Sequence, residues 1–269
     1  MHRYRASTAG ERLCQFIHEK LEDERAWRHL LNAIRPVGDS IRLTAYYRHH
    51  AALFLACKLV SAGKSISTTD GGSTAALLPI VEQFPWIQLN AGNRLLRMLA
   101  DAVDRSDRPI SPGAASELRA YAREHHRHCY ICGTPLDFGD SKSRAYCTAE
   151  HLWPSSYGGD SVEENLLPAC ADCNTKRGNL ATWVASDVHA LFLGLDPDIT
   201  RLRQINFIRR YALYHRAAIN LAIARGLTLK NAFLRLGPWN DPRVSDVEAT
   251  ADMFNLKTHR EIEEEYEEV

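Results

Sequence analysis

The sequence predicts a mainly α protein in which helical N- and C-terminal regions flank one small module of two strands and a helix. Apolar residues recur at helical spacing through most of the first 127 residues and again after residue 200. Strand signals are confined to the segment around two Cys-x-x-Cys knuckles, Cys129–Cys132 and Cys170–Cys173. Two such pairs supply four thiolates, the ligand set of a tetrahedral zinc site. The module is therefore expected to be a zinc-stapled ββα unit.

The N-terminal helices are delimited by residues that stop or cap helices. Arg35-Pro36 ends a first helix, and Asp39-Ser40 caps a second one that is expected to end at Gly63. A Ser- and Thr-rich loop over 63–72 precedes short helices over 73–83 and 92–102, a linker over 109–113 and a helix over 114–127. The apolar face of the first helix is formed by Leu13, Phe16, Ile17, Leu21, Trp27, Leu30, Leu31 and Ile34.

The module and the C-terminal region follow in order. Strands over 144–148 and 150–153, with a helix from 172 to about 183, are expected to form the ββα unit. A long helix over 200–225 ends at Gly226, residues 237–247 are expected to be irregular, and a short helix lies near 247–254. These signals predict an N-terminal helical region over 1–110, the zinc module over 111–185, a C-terminal helical region over 186–256 and an acidic tail over 257–269.

Composition bounds the class of protein. The chain has 269 residues, of which 45% are hydrophobic and 25% charged, as in ordinary globular proteins. The seven cysteines are an odd number, and four of them are accounted for by metal, which favours a reducing, cytoplasmic location. The N-terminus lacks the apolar run of a signal peptide, and no apolar run is long enough to span a bilayer. We therefore expect no association with a membrane.

The 37 residues between the knuckles are more than a simple zinc module needs. They carry Glu150 and His151, then a Gly158-Gly159 turn, then Asn165; Asn174, Lys176 and Arg177 follow the second knuckle. Hydrolysis of a phosphodiester requires a base that deprotonates water and a cation that stabilises the phosphate. Histidine is a suitable base near neutral pH, and a carboxylate is a suitable ligand for Mg²⁺ or Mn²⁺.

The order of these features, from Cys129 to Asn179, resembles that of the HNH endonucleases, which belong to the His-Me finger or ββα-metal group. The match covers roughly a fifth of the chain. The resemblance implies a metal-dependent phosphodiesterase that acts on nucleic acid, with DNA as the expected substrate. It also implies two kinds of metal, a structural Zn²⁺ and a catalytic Mg²⁺ or Mn²⁺.

The resemblance assigns roles to individual residues. His151 is the expected general base, Asn165 orients the loop that carries it, and Glu150 and Asn174 are the expected ligands of the catalytic ion. Glu stands here where such motifs more often have Asp or His, and Asn174 stands where the last histidine is common. The expected zinc ligands are Cys129, Cys132, Cys170 and Cys173. The expected substrate contacts in the module are Lys176 and Arg177.

A basic stretch is the second feature that suggests nucleic acid. Residues 201–240 contain eight Arg or Lys and no Asp or Glu, although the chain has a formal net charge of zero. This pattern indicates either a contact surface for nucleic acid or the solvated face of a core helix. The arginines expected to contact substrate are Arg203, Arg209, Arg210 and Arg216. The acidic tail, with six Glu in residues 261–269, is expected to be solvated.

Two further readings remain open. An HNH module joined to helical regions resembles effector nucleases of bacterial anti-phage defence or restriction, which implies a regulatory protein partner such as an ATPase. Alternatively, the module could be a non-catalytic, zinc-stabilised domain that binds nucleic acid or protein. The set Glu150, His151, Asn165 and Asn174 favours the enzyme, because binding alone does not require a base beside a metal ligand.

Overall fold

A computed structural model of the chain describes residues 4–23, 40–70, 74–83, 92–181 and 205–239. It confirms the predicted class, a mostly helical protein with one small two-stranded sheet near the cysteine knuckles. The chain divides into two compact units. The helical unit comprises Ala6–Pro109 and Trp153–Asp160, and the sheet unit comprises Met1–Arg5, Ile110–Leu152 and Ser161–Val269.

The helical unit is built on three helices, α1 (Ala9–Asp23), α2 (Ser40–Asp70) and α4 (Gly92–Ser106). A 3-10 turn, Thr74–Leu77, and a short helix, α3 (Leu78–Glu82), complete it. The three long helices pack on one another because each has an apolar face. That core contains the fully buried side chains of Leu13, Ile17, Leu53, Leu59, Leu95 and Leu99. The predicted first helix continued to Ile34, and its second half lies outside the described residues.

The start of α1 is held by a reciprocal capping arrangement. Glu11 Oε2 accepts hydrogen bonds from Thr8 N at 2.8 Å and Thr8 Oγ1 at 2.8 Å, and Glu11 N donates to Thr8 Oγ1 at 3.1 Å. This is a capping box, which satisfies backbone N–H groups that have no partner within the helix. Burial raises the pKa of Glu11, although its hydrogen bonds to Thr8 and Ser7 oppose that rise.

Helix α2 extends beyond its predicted end. The sequence predicts a loop over 63–72, whereas the helix continues through Gly63 to Asp70. Gly63 lies at a close approach between helices: a Cβ atom there would be 2.5 Å from Cγ2 of the buried Val103 on α4. The glycine therefore serves helix packing rather than helix termination.

Residues Trp153–Asp160, which we call the strap, belong to the helical unit although they lie between the knuckles in sequence. Gly10 N donates to Gly158 O at 2.9 Å, and Ala9 N donates to Asp160 Oδ1 at 2.9 Å. Within the strap, Trp153 Nε1 donates to Tyr157 O at 3.0 Å. The strap is thus fastened by hydrogen bonds to the first residues of α1.

The sheet unit contains helix α5 (Pro112–His125) and an antiparallel pair of strands, β1 (Cys147–His151) and β2 (Leu166–Cys170). Their register pairs Cys147 with Cys170 and His151 with Leu166. The predicted strands 144–148 and 150–153 are one strand, preceded by a turn in which Tyr146 N donates to Ser143 O at 3.0 Å. Strand β2 was not predicted, and it contains Pro168, a residue type that argues against a strand. A two-stranded sheet tolerates this proline since both of its strands are edges.

Helix α6 (Ala171–Arg177) follows β2 directly and completes the ββα arrangement. It is shorter than predicted and is followed by Gly178, which has a positive φ of 49°. Among the described residues, none forms a helix long and apolar enough to cross a membrane.

Two helices complete the described part of the sheet unit, α7 (Ile205–Arg225) and α8 (Leu229–Leu236). Helix α7 is followed by Gly226, at φ 62°, as predicted. Helix α8 was not predicted; Thr228 caps it by accepting a hydrogen bond from Asn231 N at 3.2 Å. Between them lies an aromatic core of Tyr130, Tyr211, Tyr214, Phe233 and Trp239. The predicted helix over 247–254 and the acidic tail lie outside the described residues.

Candidate functional site

The two knuckles meet because backbone hydrogen bonds join them through β2. In the first knuckle, Gly133 N donates to Cys129 O at 2.9 Å, and Gly133 takes a φ of 71°. Tyr130 N then donates to Pro168 O at 3.1 Å, which brings this turn beside the end of β2. The second knuckle spans the junction of β2 and α6, where the Cys170 sulfur accepts a hydrogen bond from Cys173 N at 3.4 Å.

The four cysteine sulfurs fit a single zinc ion. All four Sγ atoms lie within 4.8 Å of one another, and those of Cys132 and Cys170 are 3.8 Å apart. A tetrahedral ion with Zn–S bonds of about 2.3 Å separates its sulfurs by about 3.8 Å. The residues that would hold zinc are thus Cys129, Cys132, Cys170 and Cys173. Cys147 lies outside this group as a buried thiol on β1, and burial raises its pKa to about 11.

His151, the predicted base, is the last residue of β1 and is half-buried. Its Nε2 atom lies 3.0 Å from Ser161 Oγ. Its backbone carbonyl accepts a hydrogen bond from Arg177 Nη1. Both the ring and the backbone of His151 are therefore restrained by neighbouring residues.

Asn165, the predicted orienting residue, is hydrogen-bonded through its backbone to Leu152, the residue after His151. It is buried, with 1% of its surface exposed. Its carbonyl accepts a hydrogen bond from Leu152 N at 2.8 Å, and its own N–H donates to Val162 O at 2.9 Å. These bonds close the segment between the two strands on the side away from the zinc site.

Glu150 and Arg177 form a buried ion pair, which departs from both expected roles. Arg177 is 1% exposed and Glu150 is 4% exposed, and Arg177 Nη1 donates to Glu150 Oε1. Arg177 also donates to the carbonyls of Leu152 at 2.9 Å and Leu180 at 3.1 Å. The structure thus places Arg177 in the interior rather than on a substrate surface. The carboxylate oxygen Oε1 of Glu150 is engaged by this arginine.

Charge and burial act in opposite directions on this pair. Burial raises the pKa of Glu150, and the neighbouring Arg177 opposes that rise. Burial alone would lower the pKa of Arg177, but Tyr211 and Glu150 outweigh it and leave the pKa above its ordinary value. The ring of Tyr211 also packs near the cation, with its centroid 5.2 Å from the guanidinium carbon.

Asn174 and Lys176 lie on α6 and are both half-buried. Asn174 Nδ2 donates to Thr148 Oγ1 at 3.0 Å and, more weakly, to Ala149 O at 3.4 Å. Its amide nitrogen is thus engaged by β1, and the side-chain oxygen is the atom of Asn174 that could serve as a metal ligand. Lys176 Nζ donates to Asp172 at 2.5 Å, and Asp172 also pairs with the exposed Arg144.

The predicted basic helix is described in part. Arg210 donates from Nη2 to Trp239 O at 2.7 Å, and its guanidinium lies 4.9 Å from the Trp239 ring centroid. It therefore helps to attach the segment after α8 to α7. Arg216 is half-buried, and the side chain of Arg209 and all of Arg203 lie outside the described part of the chain.

Sequence reasoning did not identify Ser161. It identified Arg177 as a substrate contact but missed its structural role in the interior. A serine in a polar loop carries no signal of its own. Arg177 follows a lysine at the end of a helix, which is typical of a surface cation. Each role depends on which residues the fold brings close.

A protein-family model matches the same segment. The family model described as HNH endonuclease matches residues 129–180. Over 93 residues the chain is also 33% identical to a protein of Vaccinia virus (strain Western Reserve) named Truncated CrmB protein. That alignment covers 34% of this chain and 68% of the viral protein. No solved structure matches the chain.

Proposed function

We propose, from the match of residues 129–180 to the HNH endonuclease family model, that the protein is a metal-dependent endonuclease that cleaves phosphodiester bonds in DNA. The observation that supports the activity most directly is the position of His151. It ends β1, is half-buried, and has both its ring and its carbonyl held by neighbouring residues. A base fixed in this way can take a proton from water without first being ordered.

The residues around His151 have separable tasks in this proposal. His151 accepts the proton of the attacking water. Asn165 and Arg177 hold the backbone on either side of the ring, through the carbonyl and N–H groups at positions 151 and 152. Zinc would be structural, because four thiolates complete its coordination and leave no position for water.

The proposed catalytic ion occupies a site distinct from the four-cysteine zinc site. Mg²⁺ or Mn²⁺, when bound, would stabilise charge on the scissile phosphate. The half-buried Asn174 is proposed as a ligand of such an ion through its side-chain oxygen. Glu150, whose Oε1 atom is paired with Arg177, is the second proposed ligand. A metal titration of Glu150→Gln separates the two roles of Glu150. A ligand role raises the metal concentration needed for cleavage, whereas a role confined to the ion pair lowers stability alone.

Substrate binding is proposed to involve cations near the module. Arg144 is exposed, Lys176 is half-buried, and both share the single carboxylate of Asp172, so that this group keeps a net positive charge. Phosphates attract such a group. Arg203, Arg209, Arg210 and Arg216 are proposed as additional contacts, with Arg210 also serving the fold. A role in anti-phage defence with an ATPase partner is supported only by the resemblance of the domain arrangement.

The deciding experiment is plasmid nicking by the full-length, zinc-loaded protein with and without Mg²⁺ or Mn²⁺. The metal-free arm uses a buffer without these ions rather than EDTA, because EDTA would also remove zinc. We expect metal-dependent nicking, and a loss of roughly 100- to 10,000-fold in His151→Ala. Because His128 is exposed and just precedes the first knuckle, His128→Ala is the matched control and should cut normally.

The outcomes distinguish the enzyme from the binding alternative. Binding of DNA without nicking under any divalent ion would favour a non-catalytic module. Nicking that survives in His151→Ala would assign the base to another residue, with His128 as the first candidate. A parallel assay with an RNA substrate of the same sequence tests the choice of DNA.

A further inference from the structure

Helix α5 carries a row of arginines along one side. Arg119 and Arg123 are four residues apart, so their side chains are neighbours on the helix surface. Arg127 follows the end of the helix, but its Nε atom donates to the carbonyl of Arg123 at 2.9 Å, which brings its side chain back beside that residue. Arg123 and Arg127 are exposed, and Arg119 is half-buried. We call these three residues the arginine ridge.

The arginine ridge lacks anionic partners in the part of the chain that the structure describes. There, no carboxylate lies within ion-pairing distance of any of its three guanidinium groups. Other cations of the sheet unit are paired, Arg144 and Lys176 with Asp172, and Lys230 with Glu163. Like charges four residues apart repel each other along a helix. An anion bound along the ridge would relieve that repulsion.

The acidic residues of α5 lie away from the ridge. Glu117 precedes Arg119 by two residues, a rotation of about 200° around the helix, so it lies on the opposite side. Glu124 lies beside His125, with Oε2 3.6 Å from the ring Nε2. The dipole of α5 favours a cation at Arg123, in the last turn, but not at Arg119 one turn earlier. The stability of the helix therefore does not account for the whole ridge.

Two contacts orient the ridge without neutralising it. The guanidinium carbon of Arg123 lies 5.3 Å from the ring centroid of Phe138, and an aromatic ring attracts a cation without cancelling its charge. Arg127 uses its Nε atom in the bond to the backbone, which leaves its two terminal nitrogens as donors. Guanidinium groups held in this way can bind phosphate oxygens in a defined geometry.

The ridge lies in the same unit as His151, on a helix that packs against β1. The buried residues of α5, Leu118 and Ala122, each directly precede a ridge arginine, so the ridge borders the buried face of the helix. Strand β1 ends at His151 and spans about 13 Å at about 3.3 Å per residue, the length of roughly four base pairs. A duplex bound along the ridge is therefore long enough to reach the proposed base.

We propose that Arg119, Arg123 and Arg127 bind the phosphate backbone of duplex DNA beside the bond that is cut. This inference rests on the proposed function, because it takes DNA as the substrate. Arg119 and Arg123 are about 6 Å apart along the helix axis, and one strand of DNA carries a phosphate for every 3.4 Å, roughly, of duplex. The two arginines are thus placed to meet different phosphates of one strand. Such contacts position the duplex and carry no information about base sequence.

The salt dependence of DNA binding tests the ridge. The full-length, zinc-loaded protein is titrated with a short fluorescent duplex in buffer without Mg²⁺ or Mn²⁺, so that binding is measured without cleavage. Each phosphate contact contributes about 0.9 to the slope of log K against log salt. We expect Arg119→Gln, Arg123→Gln and Arg127→Gln together to lower that slope by about 2.7, and to weaken binding by roughly 100-fold at about 0.1 M salt, on duplexes of unrelated sequence.

Two further variants control for net charge and for packing. Lys58→Gln, Arg108→Gln and Arg235→Gln together remove the same charge from exposed cations outside the ridge and should leave the slope unchanged. Replacement of the three ridge arginines by Lys keeps their charges and should retain most of the slope. Melting temperature and zinc content establish whether each variant is folded. If the triple Gln variant is unfolded, the single changes replace it, each with an expected fall of about 0.9 in the slope.

The results for the ridge and for the nuclease are separate. A protein that binds DNA through the ridge but does not nick the plasmid contradicts the nuclease and leaves the ridge in place. A folded ridge variant with the affinity and salt slope of the parent overturns the ridge, even if the parent cuts DNA. So does a parent that does not bind duplex DNA. Equal losses in the ridge variant and the charge control also overturn it, because net charge alone would then account for binding.

Discussion

Arg177 carries its charge where water is almost excluded, and this single residue organises the end of β1. Its guanidinium donates to Glu150 and to the carbonyls of His151, Leu152 and Leu180. A buried cation is tolerated only when its hydrogen bonds are satisfied and an anion lies beside it. Because two of these carbonyls belong to the predicted base and its neighbour, the pair couples folding to the geometry of the site.

Removal of Arg177 should therefore be costly. Arg177→Ala leaves the buried Glu150 without its partner, and we expect it to lower the free energy of unfolding by about 3–5 kcal/mol. The control is Lys176→Ala on the same helix, which breaks only the half-exposed pair with Asp172 and should cost less than about 1 kcal/mol. Urea unfolding at saturating zinc measures both. Equal losses in the two variants would contradict this account of the pair.

His215 provides a prediction about pH. It is buried in the sheet unit, where burial, followed by the charge of Arg177, lowers its pKa to about 3. An unfolded histidine has a pKa of about 6.5, so as the pH falls below that value the unfolded state takes up a proton before the folded state does. Stability is thus present above about pH 6.5 and is lost towards pH 3, by about 1.4 kcal/mol per pH unit.

The comparison of two variants tests this assignment. His215→Gln should weaken the dependence of the free energy of unfolding on pH between 6.5 and 5, relative to the parent protein. His125→Gln, which changes an exposed histidine at the end of α5, should leave it unchanged. Both are measured at the same zinc concentration, since zinc affinity also falls in acid. A parent-like pH dependence in His215→Gln would assign the acid sensitivity to other groups.

The sequence predicts the cluster of four cysteines but not the pairing of Glu150 with Arg177, for a physical reason. The cysteines are recognisable because a zinc site requires that residue type at that spacing. The role of His151 as a base stays a prediction. The pairing of Glu150 with Arg177, which are 27 positions apart, depends instead on the register of β1 against β2 and on how α6 packs on the sheet. Spacing along the chain does not specify which of two acceptable partners, a metal ion or an arginine, a carboxylate will face.

At the level of secondary-structure elements, Gly63 shows that a glycine after an apolar run can either end a helix or allow two helices to pack closely. A glycine after an apolar run is typical of a helix end, but here it allows α2 to approach α4. Only the arrangement of the helices distinguishes the two uses. Pro168 is a similar case. It is tolerated within β2 because each strand of a two-stranded sheet has one side without a partner strand, where no backbone N–H is needed.

Gly63→Ala should consequently destabilise the helical unit despite the better helix propensity of alanine. The added methyl group would lie 2.5 Å from Val103 Cγ2, and overpacking of this kind costs about 1–3 kcal/mol. Gly113→Ala is the control, since its Cβ would meet only Ser111 Oγ at 3.9 Å; it should gain about 0.4–1 kcal/mol. Thermal unfolding should show opposite shifts.

A double variant locates the cause of this effect. Val103→Ala removes the atom that the new methyl group meets, so Gly63→Ala combined with Val103→Ala should cost less than the sum of the two single changes. Additive losses would mean that the clash is elsewhere.

For the whole molecule, zinc is expected to determine whether the sheet unit folds. Binding at four-thiolate sites contributes on the order of 10–16 kcal/mol in small peptides. Cys129→Ser or Cys173→Ser should therefore lose bound zinc and the folded sheet unit together. Cys57→Ser, at a half-buried cysteine of α2 outside the cluster, should keep one zinc per chain. Metal analysis with near-ultraviolet circular dichroism measures both, and full zinc content in a folded Cys173→Ser would refute the assignment.

The strap limits how the segment around the knuckles can be moved into another protein. In sequence the segment that matches the HNH family model is continuous, but eight of its residues, Trp153–Asp160, are packed as part of the helical unit. Gly10 permits this because any side chain there would place its Cβ 2.2 Å from Tyr157 O. A chimera that joined residues 111–181 to a foreign helical region would thus separate these eight residues from the backbone that receives them. We therefore expect a chimera to fold only when the helical unit is transferred together with the sheet unit.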